Sequence, residues 1–304
     1  MVLLQRGELE RMATVLGHVS PARVALAALP QLATYAAAAA VWYLVLWRAE
    51  RRRHLSGLYL LGVAKLFMDQ AVPSGGVSGS LLVVAALRRR GVSTRIATAA
   101  LLVGLISFYL AFIIAAVTSL IVTARGHTLN REIVLLVIVF LGIALALLLA
   151  ILWLRRRSAR LEGWLARLPV GRPFWDAIRD APATLLKDVP LLLATTLLQI
   201  SIIALDAATL WILLDALGAP TAYPSAFASF ALASIFADVI PVPLGLGSFE
   251  LALVGLLRLG GTGLAAAAAG TLLLRGLSFW APMLPGLWLA RREIRGAAAV
   301  PDTD

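Results

Sequence analysis

The 304 residues are 61% hydrophobic and 14% charged, with a mean hydropathy of +0.91, a balance that excludes an ordinary soluble domain and marks an integral membrane protein. The formal charge of +11 does not argue for nucleic acid, because the arginines cluster at the ends of apolar runs, where they meet phospholipid headgroups. Without cysteine there is no disulfide, thiolate nucleophile or thiolate metal site, and His18, His54 and His127 lie far apart in or near connections, so neither a metal nor any other cofactor is expected.

Residues 1–23 are mixed in character, read as a short surface helix, and carry Glu8 and Glu10 in place of a cationic leader. Ala25 to Trp47 is the first predicted span: 23 residues at a rise of about 1.5 Å reach roughly 34 Å, enough for the bilayer core. It closes on Trp42, Tyr43 and Trp47 before Arg48 and Arg51 to Arg53, an aromatic belt followed by a cationic anchor. The apolar pieces Leu55 to Val72 and Val77 to Leu87 are each short for a span and are separated by P-S-G-G-V-S-G, which predicts a re-entrant helical hairpin. Thr94 to Val122 and Ile133 to Leu154 are the second and third spans, and a polar stretch over about 156–187 reads as an interfacial elbow. Pro190 to Leu217 is the fourth span, Ala222 to Ile240 and Ser248 to Leu259 are the arms of a second hairpin, and Gly263 to Ala290 is the fifth span.

The expected fold is therefore all-α, with about five spanning helices and two re-entrant hairpins in a single transmembrane domain over residues 1–304. With both hairpins returning to their own side, one face collects nineteen Lys and Arg and the other six. Cationic loops stay in the cytoplasm, so the carboxyl terminus is placed inside and the amino terminus outside. A shift of 169 residues superposes Phe67 on Phe236, Asp69 on Asp238, Arg89 on Arg258 and Gly91 on Gly260. This is read as an internal repeat, the first copy over about 25–123 and the second over about 188–292. Three spans lie between the hairpins, an odd number, so the hairpins are expected to enter from opposite faces around a polar site near the midplane.

Lys65, Asp69, Asp206, Asp238, Glu250 and Arg275 all fall inside predicted membrane segments. Each costs about 2.5 to 3.5 kcal/mol at a helix centre, so a paired or hydrated interior is implied. Lys65 and Asp69 are four apart and pair on one face. Thr195, Gln199, Asp206 and Thr209 form one helical stripe expected to face inward, with Asp206 either holding the bundle or pairing with Arg275. Arginine grips phosphate with a fork of donors, and helices starting after Gly79 and Gly247 would add unpaired N–H groups. Ser74, Gly75, Gly76, Gly245, Gly247 and Ser248 at the two breaks complete the candidate substrate-binding set. The acids suit an amine-bearing headgroup or a coupling proton or Na+. The residues leave three readings open: a lipid transporter, an intramembrane lipid-modifying enzyme, or a non-transporting partner of a lipid synthase. No motif of nucleotide-binding, serine-hydrolase or zinc-protease type accompanies the acids.

At Pro243-Leu244-Gly245-Leu246-Gly247-Ser248-Phe249-Glu250, then Leu257-Arg258-Leu259-Gly260 and Leu274-Arg275 through Trp280-Ala281-Pro282, the chain resembles the lysylphosphatidylglycerol synthase transmembrane (flippase) family, and the break at Pro73 to Gly79 fits the same family. The resemblance covers about residues 25–292. It implies a protein of the bacterial inner membrane that moves phospholipids or lipid-linked headgroups between leaflets, with Glu250 and Arg275 at the family's acid and arginine positions. The sequence has Pro-Leu-Gly where the family usually has Pro-Gly-Gly, and it shows no soluble aminoacyltransferase domain, so synthesis of lysyl-lipid is not expected.

Overall fold

The computed structural model describes residues 20–51, 53–71, 77–126, 129–156, 180–240 and 247–298, and among them every regular element is a helix. In chain order these are α1 (Pro21–Arg48), α2 (Leu55–Ala71), α3 (Val77–Arg89), α4 (Thr94–Arg125), α5 (Arg131–Arg156), the short α6 (Ala183–Leu186), α7 (Val189–Ala216), α8 (Tyr223–Val239), α9 (Ser248–Leu259), α10 (Leu264–Arg275), a π-helical turn (Gly276–Trp280) and α11 (Ala281–Ala298). Five are long and apolar enough to cross a membrane: α1, α4, α5, α7 and the continuous run Leu264–Arg295. The protein is thus a multi-pass, all-helical membrane protein. The predicted surface helix at 1–23 and the elbow at 156–187 lie mostly outside the described residues.

Lipid as solvent explains why large apolar side chains lie on the outside. Leu135, Ile138, Leu145 and Leu149 of α5 and Leu193 and Leu197 of α7 are all more than half exposed. The same sequence in water would present an aggregating face.

The helix ends use ordinary capping. Asp188 caps α7 by accepting from the Leu191 N–H (3.1 Å) and also receives Arg48 Nε at 2.5 Å. These bonds, with the Arg48 guanidinium first, hold the Asp188 carboxyl below its ordinary value of 3.8. Asn130 likewise caps α5 through the Ile133 N–H at 3.0 Å.

The chain divides into two compact units, and each of the five long helices contributes a stretch to both. One unit comprises Ala38–Ala111, Leu141–Gln199 and the chain from Pro285 on, and it contains the hairpin α2/α3. Its core joins Leu58 and Leu61 of α2 and Val83, Ala86 and Leu87 of α3 to Trp42, Val45 and Leu46 of α1, Ala97 to Val103 of α4 and Leu191 of α7. Leu58 opens the first arm and Leu87 closes the second, so both outer ends of this hairpin are anchored in one cluster. Nearer the break, Val63, Ala64 and Leu82 pack on Leu289 and Ala290 of α11. Gly286 allows the close approach there, because a β-carbon would stand 2.7 Å from Phe67 Cβ and 3.0 Å from the Val63 carbonyl.

The other unit comprises α1 up to Ala37, Phe112–Phe140 and Ile200–Leu284, and it contains the hairpin α8/α9. Its arms pack along each other through alanines and phenylalanines, Phe230 meeting Phe249 edge to face at 5.8 Å. Gly270 of α10 lies so close to α7 that a β-carbon would stand 2.9 Å from the Leu214 side chain. Tyr223 at the head of α8 donates to the Ala204 carbonyl at 2.9 Å.

Candidate functional site

The two hairpins place carboxylates where helix ends and cations meet. In the first, Lys65 and Asp69 form the i,i+4 pair predicted from their spacing. Asp69 also accepts from the backbone N–H of Gly79 at 3.1 Å, and Ser78 Oγ donates to the Met68 carbonyl at 2.9 Å. The start of α3 departs from expectation. The helix begins at Val77, not after Gly79, yet Gly79 still lies within the first four residues, whose N–H groups have no intrahelical acceptor. Asp69 uses that free donor. A side chain at position 79 would strike it, since a β-carbon would come within 2.8 Å of Lys65 Cγ and closer still to the carboxylate.

In the second hairpin Gly247 is the N-cap of α9, with φ +101°, a left-handed conformation that glycine adopts without strain. Glu250, three residues on, folds back so that Oε2 accepts from the Gly247 N–H at 2.7 Å. Its other oxygen, Oε1, accepts from Arg275 Nε at 2.6 Å. The Arg275 guanidinium lies 4.4 Å from the ring centre of Phe279 and 5.3 Å from that of Phe249. The π-helical turn starts at the next residue and carries Phe279. Ser248 beside this cap is buried, and its Oγ has no hydrogen-bond partner among the described residues.

The two hairpins therefore share a chemical device built from different positions. In each, one carboxylate joins a backbone N–H at the start of the second arm to a cation. The 169-residue shift matches Asp69 with Asp238, but Asp238 is exposed near the end of α8 and makes no hydrogen bond or ion pair among the described residues. Glu250 takes the equivalent role from the opposite arm. Ser74, Gly75, Gly76 and Gly245 lie outside the described residues.

The inward stripe on α7 is buried or half-buried. Thr195 and Thr209 are fully buried, Gln199 donates to the Gly104 carbonyl at 3.4 Å, and Asp206 receives Gln31 Nε2 at 3.1 Å. The considered pairing of Asp206 with Arg275 does not occur, because Arg275 is turned to Glu250 and Asp206 to α1. Gln31, Thr34, Phe249 and Phe279 were not among the expected site residues. Gln31, polar within an apolar helix, carried the only signal that could have found one of them; a phenylalanine beside a cation carries none in an apolar chain.

A family model described as the lysylphosphatidylglycerol synthase TM region matches residues 1–286. No curated protein matches the chain.

Proposed function

The chain belongs to the lysylphosphatidylglycerol synthase transmembrane family, and from that premise we propose that it is a lipid translocase of the bacterial inner membrane, moving a phospholipid or lipid-linked headgroup between leaflets. The observation that carries this reading is the state of Arg275. Only its Nε is engaged, by Glu250, while the two terminal amino groups make no hydrogen bond among the described residues. A guanidinium oriented by a carboxylate and two aromatic rings, with its fork still open, is suited to a phosphate. Ser248 Oγ, next to the helix start, adds a further free polar atom. Lys65 and Asp69 are proposed as a separate headgroup contact within their own unit, and Asp238 as a partner for an amine.

The re-entrant character of the hairpins belongs to the same proposal. The arms hold 17, 13, 17 and 12 residues, which at 1.5 Å each gives about 18 to 26 Å, short of the roughly 30 Å core. Opposed entry of the two hairpins, an inverted repeat and a cytoplasmic carboxyl terminus follow from the cation asymmetry and the odd number of intervening spans.

The test is a leaflet assay on purified protein in liposomes carrying fluorescent lipids of different headgroups, with dithionite quenching as the readout. The wild type should accelerate exchange for a subset of headgroups, and Arg275→Ala should reduce the rate to that of empty liposomes while inserting normally. Wild-type rates in that variant would remove Arg275 from the mechanism. Chemical conversion of labelled lipid by the same preparation would instead support an enzyme. Inactivity of folded protein alone, with a synthase co-purifying, would support a partner.

A further inference from the structure

A second polar group lies deep in the unit that holds α8 and α9, and it shares no hydrogen bond with the Glu250 and Arg275 pair. Asp206 lies ten residues before the end of α7 at Ala216, and Gln31 ten residues after the start of α1 at Pro21. At 1.5 Å per residue each is about 15 Å from the nearer helix end, well inside the apolar thickness. Gln31 is only 4% exposed. Its Nε2 donates to Asp206 Oδ1 at 3.1 Å and to Thr34 Oγ1 at 3.2 Å, while the Thr34 hydroxyl gives its own proton to the Gln31 carbonyl at 2.7 Å.

This network fixes the amide. With Asp206 ionised, both hydrogens of Nε2 are used, and the reverse orientation would set the amide oxygen against a carboxylate and a hydroxyl whose proton is already committed. The consequence is an excess of acceptors. Among the described residues, Gln31 Oε1 is buried with no hydrogen-bond partner and Asp206 Oδ2 makes no hydrogen bond. A buried acceptor without a donor is costly, and a carboxylate in an apolar surrounding more so. What such a group of oxygens lacks is positive charge.

We propose that Gln31, Thr34 and Asp206 form a binding site for a small monovalent cation, H+ or Na+, within the membrane. The open oxygens, Asp206 Oδ2 and Gln31 Oε1, are hard donors of the kind that either ion accepts, while Thr34 holds the Gln31 amide in place. Among the described residues no side-chain cation pairs with Asp206: Arg275 is held by Glu250, and Arg23 pairs with Asp215 at the end of α7. Among the described residues, the Tyr223 phenol donates to the Ala204 carbonyl and Tyr35, one turn beyond Gln31, donates to the Ser278 carbonyl at 3.3 Å. Pro30 precedes Gln31 and removes one N–H from the α1 ladder. The site is independent of whether the protein moves lipid; if it does, a cation bound here is a means of coupling.

The experiment is infrared difference spectroscopy on full-length protein in nanodiscs, stepped from mildly alkaline to mildly acidic pH in K+ and then in Na+ buffer. A proton at the site produces the carbonyl-stretch band of a protonated carboxylic acid. Carboxyl-13C aspartate in the wild type should shift that band, Asp206→Asn should abolish it, and Gln31→Leu should move its frequency. If Na+ is also taken, exchanging K+ for Na+ should diminish the band in the wild type and leave Asp206→Asn unchanged. A band indifferent to Na+ identifies a proton site. The absence of any aspartate-dependent carboxylic band and of any Na+-dependent change in the wild type overturns the proposal, and that result needs no variant to fold.

Discussion

Glu250 makes two hydrogen bonds with one carboxylate, so two substitutions can separate what each contributes. Glu250→Gln keeps an oxygen for the Gly247 N–H but removes the charge facing Arg275; Glu250→Ala removes both. The side chains of the pair are 21% and 15% exposed, shielded enough to be treated as buried. Removing one partner of such a pair costs about 3 to 5 kcal/mol, because the remaining charge is stranded. Both variants strand the Arg275 charge, and the Gln variant differs in keeping the bond from the Gly247 N–H, worth about 0.5 to 1.5 kcal/mol. The two variants should therefore differ by about 0.5 to 1.5 kcal/mol, roughly 2- to 12-fold in the folded-to-unfolded ratio. Adding Arg275→Met to Glu250→Ala removes the stranded charge and should recover part of the loss, since an apolar pair of similar volume is often neutral against an ion pair. Reversible unfolding in mixed micelles, followed by circular dichroism, measures all three. Equal destabilisation by Gln and Ala, or a double variant less stable than Glu250→Ala alone, would refute the assignment of Glu250 as joint cap and counter-ion.

Gly79→Ala should destabilise by about 1 to 3 kcal/mol through overpacking against the Lys65 and Asp69 pair. Its thermal unfolding should be partly restored by Asp69→Ala, which vacates the space; equal melting of Gly79→Ala and wild type would contradict the packing. At Asp188 the folded carboxyl titrates below its unfolded value of 3.8, so its stabilisation is complete above that value and is lost as pH falls through the folded one. Arg48→Ala should thus be less stable than wild type at neutral pH, with the gap closing below about pH 4. A gap independent of pH in acid titrations would sink this account.

Much of the architecture was legible because apolar length and breaks are local properties. The arms predicted at Ala222 to Ile240 and Ser248 to Leu259 appear as Tyr223–Val239 and Ser248–Leu259. A cluster of proline and glycine disfavours a helix from within the segment itself, whereas a single Pro30 or Gly270 is accommodated inside one, and lipid allows no unsatisfied loop elsewhere. The Lys65 and Asp69 pair was equally legible, since a helical turn brings positions four apart together without help from the rest of the chain.

Partners drawn from different helices were not legible. Glu250 and Arg275 are 25 residues apart, and Gln31 and Asp206 are 175 apart. Their meeting depends on how each helix is rotated about its axis. In water that rotation is written in the contrast between an apolar and a polar face. Here the lipid-facing and buried faces are both apolar, as the exposed Leu193 and the buried Leu191 of α7 illustrate, so sequence periodicity does not specify the rotation. Alignment is blind to rotation in the same way: Asp69 and Asp238 align in sequence, but the carboxylate at the start of α9 is Glu250. The sequence by itself determined the membrane class, the spans, the breaks and the set of charges placed in lipid. Only the tertiary structure decided which charge each carboxylate meets, because close packing of small residues such as Gly270 and Gly286 sets helix rotation through shape, not polarity.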